Sequence, residues 1–194
     1  MSRQALDSFV AEELHRVVRL VEELPVERIE AVGEILVDAY RHDGHVFVAG
    51  NGGSAATASH FACDLATNTV PRGRRRLRVT SLNDNVPLLT AAANDRGYER
   101  VFADQLTDLI RPEDVLVAIS GSGRSPNVVE AIRTARQRSA AAVALLGCDG
   151  GDAAEQADAF ILVPSDDYGQ VEDVHTILHH LLTAYVKRRL AGEE

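Results

Sequence analysis

The chain has 194 residues, 20 basic and 29 acidic, a formal charge of -9 and 45% hydrophobic side chains. That size suits one domain around one core, and the acidic balance disfavours nucleic acid as a partner, because affinity for a phosphate backbone comes from a positive face. No apolar run reaches the roughly 20 residues of a bilayer span, and the first residues mix acids with bases instead of forming a signal core, so no membrane is expected and the expected location is cytoplasmic. Cys63 and Cys148 are far apart, without CxxC spacing, which fits a reducing compartment.

In chain order, residues 2–23 place Ala5, Phe9, Val10, Leu14, Val17, Val18 and Val21 at helical spacing, and 27–40 repeat the pattern with Ile29, Val32, Ile35, Leu36 and Tyr40. A pair of amphipathic helices is predicted. The period then shortens: His45-Val-Phe-Val-Ala49 reads as a strand that runs into Gly50-Asn-Gly-Gly-Ser54 and a small-residue helix from Ala55 to about Ala66. Leu77 to Leu82 is a further strand candidate, and the basic run Arg72, Arg74, Arg75, Arg76 and Arg78 at its entrance is read as a solvated loop or subunit contact. The strand–loop–helix unit recurs as Asp114 to Ile119, Ser120-Gly-Ser-Gly-Arg-Ser125, and a helix from Pro126 to Arg136 with proline in its first turn. Ala141 to Leu146 and Ala159 to Val163 are two more strands, and a last helix spans about Gln170 to Leu190. Strands alternating with helices predict an α/β fold with a parallel sheet of about five strands covered on both faces.

In such sheets ligands sit where strand ends lead into helix N-termini. Both glycine loops lie there. Ser120, Ser122 and Ser125 offer hydroxyls, Gly121 and Gly123 let amides approach closely, and the next helix turns its positive end to the same point, so a phosphate monoester is the natural guest. Neither loop continues into Gly-Lys-Ser/Thr or has GxGxxG spacing, so no nucleotide cofactor is expected.

His60 and Asp64, four residues apart, share one helix face. The final helix carries Glu172, His175, His179 and His180; at about 100° per residue these fall near one face. Histidine with carboxylate at this spacing is a workable half-site for Zn2+ or a similar divalent cation, with Glu172 and His180 completing four ligands. A lone histidine on an apolar helix is more often a core or interface residue, and His175 and His179 are read so.

The runs Val46-Phe-Val-Ala-Gly-Asn-Gly-Gly-Ser54, Ser59-His-Phe-Ala62, Ala93-Asn-Asp95, Val101-Phe102 and Ile119-Ser-Gly-Ser-Gly-Arg-Ser125, with the Glu172-Asp-Val-His175 to His180 helix, resemble the phosphoheptose isomerases of the SIS-domain class. The resemblance covers nearly the whole chain. It implies a single SIS domain over 1–194, a flavodoxin-like three-layer sandwich with a helical extension at about 1–42. It further implies a homotetramer with sites at subunit contacts and a sugar-phosphate substrate. Asn51, Gly52, Gly53, Asn94 and Asp95 would bind the sugar, Ser120, Gly121, Ser122 and Ser125 the phosphate, while metal and catalytic positions fall on His60, Asp64, Glu172 and His180. Four departures stand out. Asp64 replaces the usual Glu, Glu172 the usual Gln, Tyr168-Gly169-Gln170 the usual Thr-Gly-Arg, and Gly121 and Arg124 break the usual Ser-Thr-Ser-Gly-Asn-Ser.

The chemistry implied is aldose–ketose isomerisation of sedoheptulose 7-phosphate through an enediolate, with Asp64 as base, Glu172 as its substitute and His180 as acid. Two alternatives are a noncatalytic SIS protein that binds a phosphosugar or a replication initiator, and an isomerase of another ketose phosphate. Two carboxylates in the pocket of an anionic substrate call for a dication or a proton beside them.

Overall fold

Five apolar runs become the strands of one parallel sheet in the computed structural model, which describes residues 2–192. They are β1 (His45–Gly50), β2 (Arg78–Ser81), β3 (Val115–Ser120), β4 (Ala141–Leu146) and β5 (Ala159–Leu162), in the order β2-β1-β3-β4-β5. β3 pairs with β1 and β4, Val117 lying opposite Val48 on one side and Val143 on the other.

Alternation along the strands explains why the central ones read as unbroken apolar runs. Val46, Val48, Val115, Val117, Ile119, Val143 and Leu145 face one core, whereas Phe47, Ala49, Leu116, Ala118, Ala142, Ala144 and Leu146 face the other. The first face is covered by α2 (Val26–Arg41), α3 (Gly53–Asn68) and α8 (Tyr168–Ala191). The second is covered by α4 (Val86–Arg96), α5 (Ala103–Thr107), α6 (Pro126–Gln137) and α7 (Gly151–Gln156), with a 3-10 turn at Tyr98–Arg100. Phe61 and Leu65 of α3 are fully buried against α8 and the sheet, contributing on the order of 1.5–3 kcal/mol each.

α1 (Arg3–Glu22) buries no residue fully: Val17, Leu20 and Val21 pack on the first core, but Phe9, Val10, Leu14 and Val18 of the predicted stripe, with Leu6 beside them, stay exposed. Residues 83–113, to which no pattern assigns an element, hold α4, the 3-10 turn and α5. α4 lacks an apolar stripe and starts by the Asn85 side chain accepting from the Leu88 N–H at 3.1 Å, followed by proline.

The order β2-β1-β3 reverses chain direction across the sheet between β1 and β3, so the loops after these strands diverge and leave a crevice. α3 begins over that crevice, and α8, capped by Asp167 accepting from the Gly169 N–H at 2.9 Å, begins beside it. Among the described residues no helix is long and apolar enough to cross a membrane. Both cysteines are free thiols.

Candidate active site

The crevice holds a cavity of about 150 Å3 lined by Asn51, Ser54, Ile119, Ser120, Gly121, Ser122, Ser125, Tyr168 and Glu172. Its serines are arranged to donate. Ser120, buried at the end of β3, accepts from the Gly123 N–H at 3.0 Å, and Ser122 accepts from the Arg124 N–H at 3.2 Å, which leaves each hydroxyl proton for a guest. Ser125 is the N-cap of α6, yet its side chain makes no capping bond, so its hydroxyl faces the helix's positive end uncommitted. Arg124, the loop's cation, is held by Asp149 in a two-pronged pair at 2.7 and 2.6 Å, and this guanidinium holds the Asp149 carboxyl down to about 2.

Two small-for-large exchanges shape the cavity. A Cβ on Gly121 would stand 2.8 and 2.9 Å from Cδ1 and Cε1 of Tyr168, so the ring occupies space that any other residue at 121 would claim. A Cβ on Gly53, the first residue of α3, would overlap the Glu172 carboxylate. Gly52, with φ of 57°, makes the turn into α3.

Not every residue proposed for the sugar turns toward it. Asn51 exchanges amide bonds with Asn127 at 2.8 Å each way and accepts from the Tyr98 hydroxyl at 3.0 Å, so it ties the loop after β1 to α6 and has little left for a ligand. Asn94 donates to Asp95 at 2.9 Å on exposed α4, and Asp95 lines a separate depression with Arg96, Asp104 and Asp108.

Further along α3 and α8 lies a second group. Asp64 Oδ2 stands 3.5 Å from Nε2 of His60, 3.5 Å from Nε2 of His179 and 3.6 Å from Nε2 of His180, and one donor atom from each of the four residues lies within 4.8 Å of the others. The other carboxylate oxygen, Oδ1, accepts from Asn68 at 3.1 Å. Burial, with the His180 and His60 rings beside it, pushes His179 down to about 4, so it is neutral at pH 7 with a lone pair to offer. One carboxylate and three imidazoles suit Zn2+ or a similar ion. Glu172 is not in this group: it sits at the cavity, about 11 Å along α8 from His179 at 1.5 Å per residue.

The cavity of uncommitted serine hydroxyls thus lies at the sheet's switch point, beside the Glu172 carboxylate. Residues 10–147 match the SIS domain family. The chain is 42% identical over 165 residues to a phosphoheptose isomerase of Mycobacterium tuberculosis, covering 85% of this chain and 84% of that one. It is 38% identical over 187 residues to the phosphoheptose isomerase of Geotalea daltonii, covering 95% and 97%. It belongs to the phosphoheptose isomerase family of SIS-domain proteins. The phosphoheptose isomerase structure from Neisseria gonorrhoeae superposes with a TM-score of 0.86 at 33% identity over 93% of this chain and 98% of that one. The one from Francisella tularensis gives 0.87 at 27% over 97% and 99%.

Within this fold Ser120, Ser122, Ser125, Gly121 and Glu172 share one cavity, and His60, Asp64 and His180 share one cluster. Sequence reasoning did not place Ser54 in the cavity or His179 in the cluster. For Ser54 the signal was available, since it ends the first glycine loop. His179 looked like a core residue and is one, fully buried; only the packing of α3 on α8 reveals that its ring also meets Asp64.

Proposed function

We propose that the chain interconverts sedoheptulose 7-phosphate and the corresponding aldose heptose 7-phosphate. The observation that carries this reading is the serine cavity with its unspent hydroxyls at the N-terminus of α6, in a chain whose relatives bear the name phosphoheptose isomerase. The serines and the helix end hold the phosphate at C7, which leaves C1 and C2 at the far end of the sugar. One proton moves from C1 to C2 and one from O1 to O2 through an enediolate, with a carboxylate as carrier between the carbons and His180 serving the oxygens. Asp64 is the carrier when its oxygen is free, and Glu172 when it is not. A divalent ion, Zn2+ by the donor set, would be held by the Asp64 cluster and would supply charge stabilisation to the enediolate oxygens.

Because Asp64 and His180 lie two turns of α8 beyond the cavity, a homotetramer that brings one copy's cluster to another's phosphate cavity fits the chemistry. Support comes from the exposed stripe of α1 and the neighbouring apolar groove of Val21, Leu24, Val26, Ile29 and Leu181. The whole chain acts as one domain, in the cytoplasm. Incubation with sedoheptulose 7-phosphate, with and without added Zn2+, should yield the aldose; absence of product in both arms overturns the proposal as to substrate.

A further inference from the structure

We infer that Asn127 is a positioning residue of the serine cavity. It caps α6 in place of Ser125 and fixes the loop after β1 to that helix, so both walls of the cavity depend on one buried amide.

The exchange of caps comes first. An N-cap serine ordinarily turns its oxygen back over the first helical turn to take the N–H two or three residues on. Ser125 stands at that position of α6, yet only its backbone carbonyl accepts there, from the Val128 and Val129 N–H groups at 3.0 Å each. Pro126 has no N–H to satisfy. The Val128 N–H, three residues after the cap, is the one a serine oxygen would take, and it also donates at 3.0 Å to Oδ1 of Asn127. The helix is thus capped by a side chain from inside its own first turn, and Ser125 is left to line the cavity.

The same amide reaches across the crevice. Asn127 Nδ2 donates to Asn51 Oδ1, and Asn51 Nδ2 donates to Asn127 Oδ1, both at 2.8 Å. Asn51 Oδ1 accepts from the Tyr98 hydroxyl as well, at 3.0 Å. The residue before it is bracketed by Asn83, whose side chain accepts from the Gly50 N–H at 3.2 Å and donates to the Gly50 carbonyl at 2.8 Å. Asn127 itself is 1% exposed, and a buried amide is costly unless its polar atoms are paired. Its partners therefore hold it to one orientation, with Asn51 on one side and the start of α6 on the other. Because the loops after β1 and β3 diverge at this point of the sheet, the two asparagines form a tie between them.

Without the Asn127 side chain, the Val128 N–H becomes available to the Ser125 oxygen, which would swing over the helix and out of the cavity, while Asn51 loses its anchor. A guest held by Ser125 would be released by a change at a residue it does not touch. This rests on the phosphate reading of the cavity under the proposed function, but not on the sugar.

Two measurements on the full chain test it without turnover. In thermal melts free of ligand, Ser125→Ala should leave the wild-type melting temperature unchanged but lower that of Asn127→Ala by about 2–4 °C, the shift expected of one lost helix cap in a chain of this length. In calorimetric titrations with inorganic phosphate, Ser125→Ala should weaken binding about tenfold or more in the wild type, and by less than about twofold on the Asn127→Ala background, where the hydroxyl has already left. A residue that served folding alone would leave the phosphate effect of Ser125→Ala equal in both backgrounds. Asn127→Ser, too short to reach Asn51, gives the same pair of readings should Asn127→Ala fail to fold. Equal effects of Ser125→Ala in the two backgrounds, in the melts or in the titrations, overturn the inference. If instead Ser125→Ala binds phosphate as tightly as the wild type while the melts behave as expected, the phosphate reading of the cavity falls and the exchange of caps is upheld.

Discussion

The carboxylate of Glu172 lies in the space that a Cβ on Gly53 would fill. Residue 53 therefore governs where the Glu172 carboxylate of α8 points, although it has no side chain of its own. In Gly53→Ala the carboxylate, the end of a flexible side chain, must swing away. Alanine suits a first helical turn at least as well as glycine, so stability should change by less than about 1 kcal/mol. A displacement of about 1 Å at a reacting group can cost on the order of 100-fold in rate. Steady-state kinetics and a thermal melt separate the two: kcat should fall with the melt unchanged, and a melt that falls in step would mean that the glycine serves packing alone.

Gly121 and Tyr168 form a second pair. Gly121 does not have a positive φ, so its lack of a side chain answers to the Tyr168 ring, 2.8 Å from where a Cβ would stand, and not to the backbone. Gly121→Thr should displace the ring and raise KM for the sugar phosphate, while the same change on a Tyr168→Ala background should cost much less. The coupling between two touching residues should be about 0.5–3 kcal/mol in a double-mutant cycle on kcat/KM. Additive effects would show that the ring and the loop act separately.

The serines should divide binding from folding. Ser125 caps α6 only through its backbone, so Ser125→Ala should spare the usual cost of about 1 kcal/mol for a lost N-cap. A hydrogen bond to a charged phosphate is worth about 1.5–3 kcal/mol, which predicts KM raised by about 10- to 100-fold for Ser125→Ala and for Ser122→Ala. Competition by inorganic phosphate should weaken in parallel. A destabilised Ser125→Ala with unchanged KM would contradict this division.

His175 gives the protein an acid-sensitive core. It is fully buried, and burial pushes it down to about 4, which the nearby Leu146 carbonyl offsets only in part. In the unfolded chain it titrates near 6.5, so between about 6.5 and 4 the unfolded state binds the proton and the folded state does not. Stability is thus fully present above pH 6.5 and falls on acidification toward pH 4, by up to about 3 kcal/mol from this residue. Urea melts at pH 7 and pH 5 on wild type and His175→Leu should show the variant losing less. Equal losses would place the acid sensitivity elsewhere.

The parts legible in the sequence were those with a period or a fixed loop. β1, β3 and β4 were visible because they are buried on both faces, and α3, α6 and α8 because a loop or proline opens them. α4 was not, since its Ala-Ala-Ala-Asn-Asp stretch has no stripe to count. At the site, the clustering of Ser120, Ser122 and Ser125 around one cavity followed from a glycine loop at a known sheet position. Glu172 and His180, read as one ligand set from their shared helix face, are separated in the fold, because a helix face is also a length: eight residues are about 12 Å. His179 could not be distinguished from a core histidine, since what makes it unusual is Asp64 on another helix.

The exposed stripe of α1 makes amount a variable. With Phe9 52% and Leu14 62% exposed, a surface this apolar gains free energy whenever another molecule covers it, and that gain scales with the logarithm of concentration. For the proposed homotetramer, a melting temperature or specific activity would therefore be one point on a dilution curve.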